Sequence, residues 1–417
     1  MQEESRFPAK GRNWEEIKAA MEDARSEDLP WYDGRVFKPA YFTGDDVVDV
    51  ANKAYEMHMC DNLLYSRTSF PSLGRYEDEV VDMLLDLLRA PASAGGGLTT
   101  GGTESNVMAI KTARDWARRH RPDVTQPEIV ASNTVHMSVD KAAHLLGIKL
   151  VKVDVGEDLR ADVNAMAQVI NSNTILLIGS SPPYVYGEVD PISEFAVLAE
   201  ENDLWLHVDA CLGGFILPFA RKLGYSIPDF DFQVPAVTSM SIDLHKYGYA
   251  AKGVSALVFR DKGLGDHRGF AVESLAGMYA TPNIVGSRSG GAPASAWAVM
   301  QYLGEEGYLR SVERILNIRQ RFLDGIRAID GLEILGEPHA YNFGFTSTSF
   351  DMYAVADGMA DRGWVSSRVT SPRAIFLMVH RAHEASVDDY LSDLAEVVDA
   401  VVAGKIKSRD ATDVSAV

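Results

Sequence analysis

Four short runs of β-favouring residues, separated by helix-like stretches, limit what this chain can fold into. The runs are EIVAS at 128–132, KLVKVDV at 149–155, TILLIGS at 174–180 and LWLHVDA at 204–210, with helical patterns at about 137–147, 161–171 and 193–202 between them. Strands joined through helices pair parallel, because the connection must cross back over the sheet, and the helices then cover both faces. An α/β architecture with a mostly parallel sheet is therefore expected. Two further strand-like segments, VTSMSI and GVSALVF, flank a DLHK tetrapeptide. A helix over 103–119, rich in good helix formers, precedes the series and follows a Gly-rich turn at 95–102.

The texture changes on either side of this block. Residues 1–45 read as an arm, charged, helical in part at 14–25, and broken around Pro30, Gly34 and Pro39. A helix over 46–65, an irregular stretch (YSRTSFPSLGRYEDE) and a helix over 77–89 follow. Beyond the glycines at 286–291, a long helical stretch (294–328) leads into strand-like pieces at 332–336, 342–350 and 374–379, with helices at 353–362 and 387–403. This pattern predicts an N-terminal arm (1–45), a large domain (46–292) and a small C-terminal α+β domain (293–417) ending in a polar, frayed tail.

A formal net charge of −19 argues against nucleic acid as a partner. It also means that an anionic ligand has to be held by backbone N–H groups and a few basic side chains. Cys60 and Cys211 are the only cysteines, so no disulfide framework is implied and a reducing compartment is expected. The opening MQEESRFPAKGRNWEE lacks the apolar core of a signal peptide, and no run approaches the roughly 18–20 apolar residues that cross a bilayer. A cytoplasmic protein with no membrane anchor and no metal is the expectation.

Four motifs carry chemistry. In GGTESNVMAIKTARDWA (101–117), Gly101 and Gly102 let the backbone curl around an anion at a helix N-terminus, and Thr103 adds a donor. In LHVDACLGGF, strand alternation puts His207 and Asp209 on one face, with the carboxylate at the strand end that faces an α/β crevice. In SMSIDLHKYGYAAKG, Lys246 stands among aromatic and small residues, where desolvation lowers an amine's pKa and frees it for Schiff-base chemistry. In NTVHMSVDKAAHLLG, His136 opens a helix just after a strand, at the crevice edge. Each has a plainer reading alone: a helix cap, a turn-capping Asp, a solvated lysine, a polar helix start. Together they form the layout that pyridoxal 5′-phosphate requires, with phosphate on the helix N-terminus, a carboxylate for the pyridine nitrogen and a lysine for the aldehyde.

GGTES, HMSVDKAA, HVDACLGGF, DLHKYGYAAKG and YATPNIVGSRSGG, in this order and spacing, resemble the fold-type-I, group II pyridoxal-phosphate decarboxylases, and within them the sphingosine-1-phosphate lyase branch. The resemblance covers roughly 30–400 and implies a seven-stranded-type sheet. It implies that Lys246 binds the cofactor covalently, Asp209 pairs with its pyridinium and His136 stacks on its ring. Gly102, Thr103 and His245 would hold the cofactor phosphate, with Gly286 and Ser287 approaching from the neighbouring subunit of a homodimer. Tyr41 and Lys252 match positions that grip a substrate phosphate. LYSRTSFPS departs from the branch by placing Tyr65 where a substrate-binding histidine stands, and Arg67 and Arg373 are unexpected. The resemblance implies retro-aldol cleavage of a phosphorylated 2-amino-3-hydroxy substrate. The rivals are α-decarboxylation of an amino acid, with Arg67 or Arg373 on the carboxylate, and a non-catalytic cofactor-binding protein.

Overall fold

A computed structural model describes residues 7–38, 40–275 and 277–409. The strands β1 Gly95–Thr99, β2 Glu128–Ser132, β3 Lys149–Val153, β4 Thr174–Ser180, β5 Trp205–Asp209, β6 Val237–Ile242 and β7 Ser255–Phe259 form one seven-stranded sheet. Their order is β1-β7-β6-β5-β4-β2-β3. Pairs from β3 to β6 are parallel, whereas β7 runs antiparallel to β6 and to β1. Every residue of β2, β4 and β5 is buried, as strands covered on both faces require. One apolar layer packs Val107, Ile110, Val139 and Trp205 on one face, and a larger layer covers the other with Leu84, Phe195, Phe215 and Val299.

The glycine run at 95–102 is a strand at its start, contrary to expectation. A Cβ on Gly96 would lie 2.6 Å from the Leu257 carbonyl oxygen, and one on Gly97 would lie 2.5 Å from an Arg268 guanidinium nitrogen. These glycines let the edge strand lie flush against β7 and Arg268. The helix expected over 77–89 runs Pro71–Leu87, with proline at its first turn, where its missing N–H costs nothing. The helix expected over 46–65 stops at Met57, before a short turn at Leu63–Tyr65.

Two more strands, β8 Phe270–Ser274 and β9 Gly277–Thr281, form a hairpin with no sequence-based expectation behind it. A helical stretch Gly291–Arg327 follows, interrupted at Gly304, whose φ of 53° is left-handed. It leads to a four-stranded antiparallel sheet of β10 Glu333–Leu335, β11 Asn342–Thr346, β12 Ser367–Thr370 and β13 Arg373–Met378, in the order β10-β11-β13-β12. Here β12 had no expectation either. Helices Met352–Asp361 and Val387–Val402 cover this sheet. The arm is not separate from it: Phe37 is fully buried in the same apolar cluster and stacks on His383, with ring centroids 4.2 Å apart. Residues 410–417 of the expected frayed tail lie outside the described residues. No described helix is long and apolar enough to cross a membrane.

Candidate active site

The C-terminal ends of β2, β4, β5 and β6 open on one crevice, and the four motifs meet there. Asp209 ends β5 and is buried. Its Oδ1 accepts the Cys211 N–H at 3.0 Å, and its Oδ2 accepts the Asn106 side-chain N–H at 2.8 Å. Burial acts to raise its pKa, but His136, these N–H groups and Lys246 together hold it below the usual value. Among the described residues no Lys, Arg or His forms an ion pair with it. A buried carboxylate that stays ionised and lacks a direct ion-pair partner among the described residues is fitted to receive a cation.

Lys246 follows β6 in the turn that leads to β7. Its Nζ lies 2.8 Å from Oδ2 of Asp243, a carboxylate that is almost wholly buried. Asp243 also accepts from the Ser255 hydroxyl at 2.5 Å. Burial works to lower the Lys246 pKa, but Asp243 outweighs it, so the pKa is raised and the amine is held as an ammonium. The low-pKa amine expected from the sequence is therefore not found. Asp243, three residues ahead of the lysine, reverses the effect of burial. It was quoted in the motif without a role.

The helix Gly102–His120 points its N-terminus at the same place. A Cβ on Gly102 would come within 2.8 Å of both Asp243 Oδ2 and Cys211 Sγ, so only glycine lets this backbone settle onto the crevice floor. Thr103 is exposed beside it, and a Cβ on Gly101 would lie 3.4 Å from His245 Cε1. His245 accepts the Val254 N–H at Nδ1 and has Nε2 3.7 Å from Asp243 Oδ2. His136 sits between β2 and the next helix; its Nδ1 accepts the Ser138 N–H at 3.2 Å, and its ring meets Tyr184 edge-on at 6.0 Å. Burial first, with Lys246 adding, lowers its pKa, so the ring is neutral near pH 7 and carries its proton on Nε2.

Tyr41, on the arm, packs against Tyr247 with centroids 5.1 Å apart and carries Lys252 over its ring face at 4.4 Å. Burial pushes the Tyr41 phenol up to about 12, so it remains a donor. Lys252 reaches solvent, donates to the His245 carbonyl at 3.1 Å and pairs with no carboxylate among the described residues. Burial, with Lys246 adding, lowers its pKa to about 8.

Other expected residues stand apart from this cluster. Tyr65 is exposed on its turn, and Gly286 and Ser287 lie on a loop whose hydrogen bonds run elsewhere. Asn62 donates to the Ser287 hydroxyl at 3.0 Å, and Glu104 accepts the N–H groups of Ile284 and Val285 at 3.0 and 3.1 Å. Glu104 also accepts from Thr100, so it ties this loop to the start of the phosphate-facing helix. A buried Glu in a helix's first turn was the available signal for it. Arg67 is held by Asp78 through two bonds of 2.6 Å, and Arg373 lies 3.6 Å from Asp351 over the Tyr353 ring. The two arginines that favoured amino-acid decarboxylation are thus already paired.

A helix N-terminus, a lysine and an ionised carboxylate around one crevice of a parallel sheet define a pyridoxal-phosphate enzyme. Residues 2–348 match the model of the pyridoxal-dependent decarboxylase conserved domain. The sphingosine-1-phosphate lyase of Arabidopsis thaliana is 40% identical over 95% of this chain and 74% of its own length. The structure of a sphingosine-1-phosphate lyase of Burkholderia pseudomallei K96243 superposes with a TM-score of 0.92 at 35% identity, covering 96% of this chain and 94% of that one. A glutamate decarboxylase of Lactobacillus brevis, at 19% identity and a TM-score of 0.82, shares the fold over 95% of each chain. The chain belongs to the pyridoxal-dependent decarboxylase family, on its sphingosine-1-phosphate lyase branch. It is a lyase, and pyridoxal phosphate is its cofactor.

Proposed function

We propose that the enzyme breaks the Cα–Cβ bond of a phosphorylated 2-amino-3-hydroxy substrate, releasing an aldehyde and a phosphorylated amine. The observation that carries this reading is Lys252, a cation with no carboxylate partner among the described residues, standing over Tyr41 at the mouth of the crevice. The likeness to sphingosine-1-phosphate lyases supports the reaction type.

When bound, pyridoxal phosphate supplies the sink for the electron pair left on Cα. We assign Lys246 to hold it covalently, Asp209 to face its pyridine nitrogen and His136 to lie against its ring. Gly101, Gly102, Thr103 and His245 take its phosphate. Asp243, 2.8 Å from Lys246 Nζ, orients the lysine and keeps its amine an ammonium until the cofactor binds. Lys252 and the protonated Tyr41 bind the substrate's phosphate, and Tyr65 donates a hydrogen bond to the substrate.

Lys252→Ala should cost about 2–4 kcal/mol in kcat/KM for a phosphorylated amino alcohol, once substrate excludes water from the pair, and little for an unphosphorylated analogue. Because Lys252 loses its proton as pH rises through about 8, wild-type kcat/KM should fall above that pH, and the variant should lack this limb. Equal losses for both substrates would remove Lys252 from phosphate binding. Release of CO2 from an amino acid, with phosphorylated amino alcohols ignored, would establish the decarboxylase instead.

We also propose a cytoplasmic homodimer that shares its sites. The β8–β9 hairpin exposes Phe270, Val272, Leu275, Met278 and Tyr279, more contiguous apolar surface than a solvated hairpin carries, and it leads into the loop bearing Gly286 and Ser287. Asn62 joins that loop to the turn bearing Tyr65, and we assign Gly286, Ser287 and Tyr65 to the other subunit's site. Mixed dimers of Lys246→Ala and Ser287→Ala chains should recover activity that neither variant has alone. A fully active monomer in sedimentation would exclude sharing. The division at 45 and 292 remains our proposed domain division, with Phe37 anchoring the arm to the small domain.

A further inference from the structure

Behind Asp209 lies a buried polar network for which the reaction described above has no use. It begins at Trp205, whose indole N–H donates to the Ser239 hydroxyl at 2.8 Å. Ser239 Oγ is 2.8 Å from His207 Nδ1, and His207 Nε2 is 3.3 Å from the Asn106 side-chain oxygen. That oxygen also accepts from Ser241 at 2.9 Å. The Asn106 side-chain nitrogen donates to Asp209 Oδ2 at 2.8 Å and to Ser138 Oγ at 2.9 Å. Trp205, Ser239, His207, Ser241, Asn106 and Ser138 are all buried.

The direction of every bond follows from chemistry. An indole nitrogen only donates and an ionised carboxylate only accepts. Asp209 therefore takes a hydrogen from the Asn106 side-chain nitrogen, which turns the Asn106 oxygen toward His207 Nε2 and Ser241. His207 then carries its proton on Nε2 and donates it to the Asn106 oxygen. Nδ1 of the neutral ring is left as an acceptor, and Ser239, which receives from Trp205, donates its one hydrogen there. Burial lowers the His207 pKa to about 4, which keeps the ring neutral at working pH and preserves this direction. Through Ser138, which faces His136 Nδ1 at 2.9 Å, the same amide also reaches the histidine at the crevice edge.

We propose that Asn106 is a positioning residue, joined to Trp205 by a one-way chain of hydrogen bonds, that keeps the Asp209 carboxylate aimed at the cofactor. This deepens the proposed function and rests on Asp209 facing the pyridine nitrogen. The groups facing Asp209 are Asn106, Ser241 and Cys211 N–H behind it, with His136, Lys246 and His207 charged or neutral around it. Asn106 donates to Oδ2, whereas Cys211 N–H and Ser241 approach Oδ1.

Nitrogen-15 NMR of the cofactor-free protein tests the chain without any turnover. His207 should be a single neutral tautomer protonated on Nε2 near pH 7, and a proton on Nδ1 would overturn the proposal. In Asn106→Ala, cofactor affinity should fall about tenfold, as for one lost donor to a buried charge. The pH midpoint of the bound cofactor's visible band should move, and kcat should fall with little change in KM. A lower melting temperature with midpoint, affinity and kcat unchanged would reduce Asn106 to packing and refute its role. Trp205→Phe keeps an aromatic ring and removes the first N–H together with part of the indole. It should move the midpoint in the same direction by less, and it decides the matter if Asn106→Ala does not fold. A wild-type protein with no visible cofactor band would instead overturn the proposed function, leaving the tautomer measurement to judge the chain.

Discussion

Lys246→Ala should abolish turnover and remove the visible absorbance of a lysine-bound cofactor. The amine is the group able to link to the aldehyde in this crevice, because Lys252 is already turned to the His245 carbonyl and the Tyr41 ring. The substitution also leaves Asp243 buried without its cation. Asp243 is held below the usual carboxylate range, against the effect of burial, chiefly by Lys246 and then by His245. Its pKa should rise in the variant. Stability contributed by a lowered carboxylate pKa is present above the unfolded-state value and lost as pH falls through the folded one, so the variant should lose part of this acid-side dependence. Lys246→Arg keeps a cation beside Asp243 without an amine able to form the linkage. It should restore stability relative to Lys246→Ala but not activity. Borohydride reduction followed by peptide mass spectrometry checks the assignment, and a cofactor adduct on another lysine would refute it.

Much of this was legible because the parallel part of the sheet is built from local signals. Buried strands such as TILLIGS announce themselves as short apolar runs, and Asp209 at the end of LWLHVD follows from the strand's limits. What escaped the sequence depends on contacts between distant segments. Gly95–Thr99 read as a turn because its glycines carry no β signal, yet they are there to admit Leu257 and Arg268. The β8–β9 hairpin has exposed apolar residues on both strands, so it lacks the alternation that marks a half-buried strand. Asp243 and Asn106 lay inside quoted motifs. Their importance comes from Lys246 in one case and from His207 and Asp209 in the other, partners that a linear pattern does not pair. The raised Lys246 pKa was lost for the same reason: burial among aromatics can be read from sequence, whereas a carboxylate 2.8 Å away cannot.

Asp209→Ala should leave the cofactor bound through Lys246 while lowering kcat by about three orders of magnitude, the scale on which a preorganised charge in a buried site acts. The side chain is suited to hold a pyridine nitrogen protonated because its charge survives burial: the first effect on its pKa is a rise from desolvation, and His136, the Cys211 N–H, Lys246 and Asn106 more than reverse it. With a folded-state pKa below the usual value, Asp209 stays ionised across the neutral range, so its titration should not appear in the activity profile there. Asp209→Asn tests the charge with little change in shape. In the native site one oxygen accepts from Cys211 N–H and the other from Asn106, so an amide must turn its NH2 toward one of these donors. Asparagine should therefore perform no better than alanine despite its closer size. Asp209→Glu retains the charge at the wrong distance and should fall between the two and wild type. Single-turnover kinetics on the three variants, with bound cofactor measured independently, gives the comparison. Near-normal turnover in Asp209→Ala would remove this residue from the site.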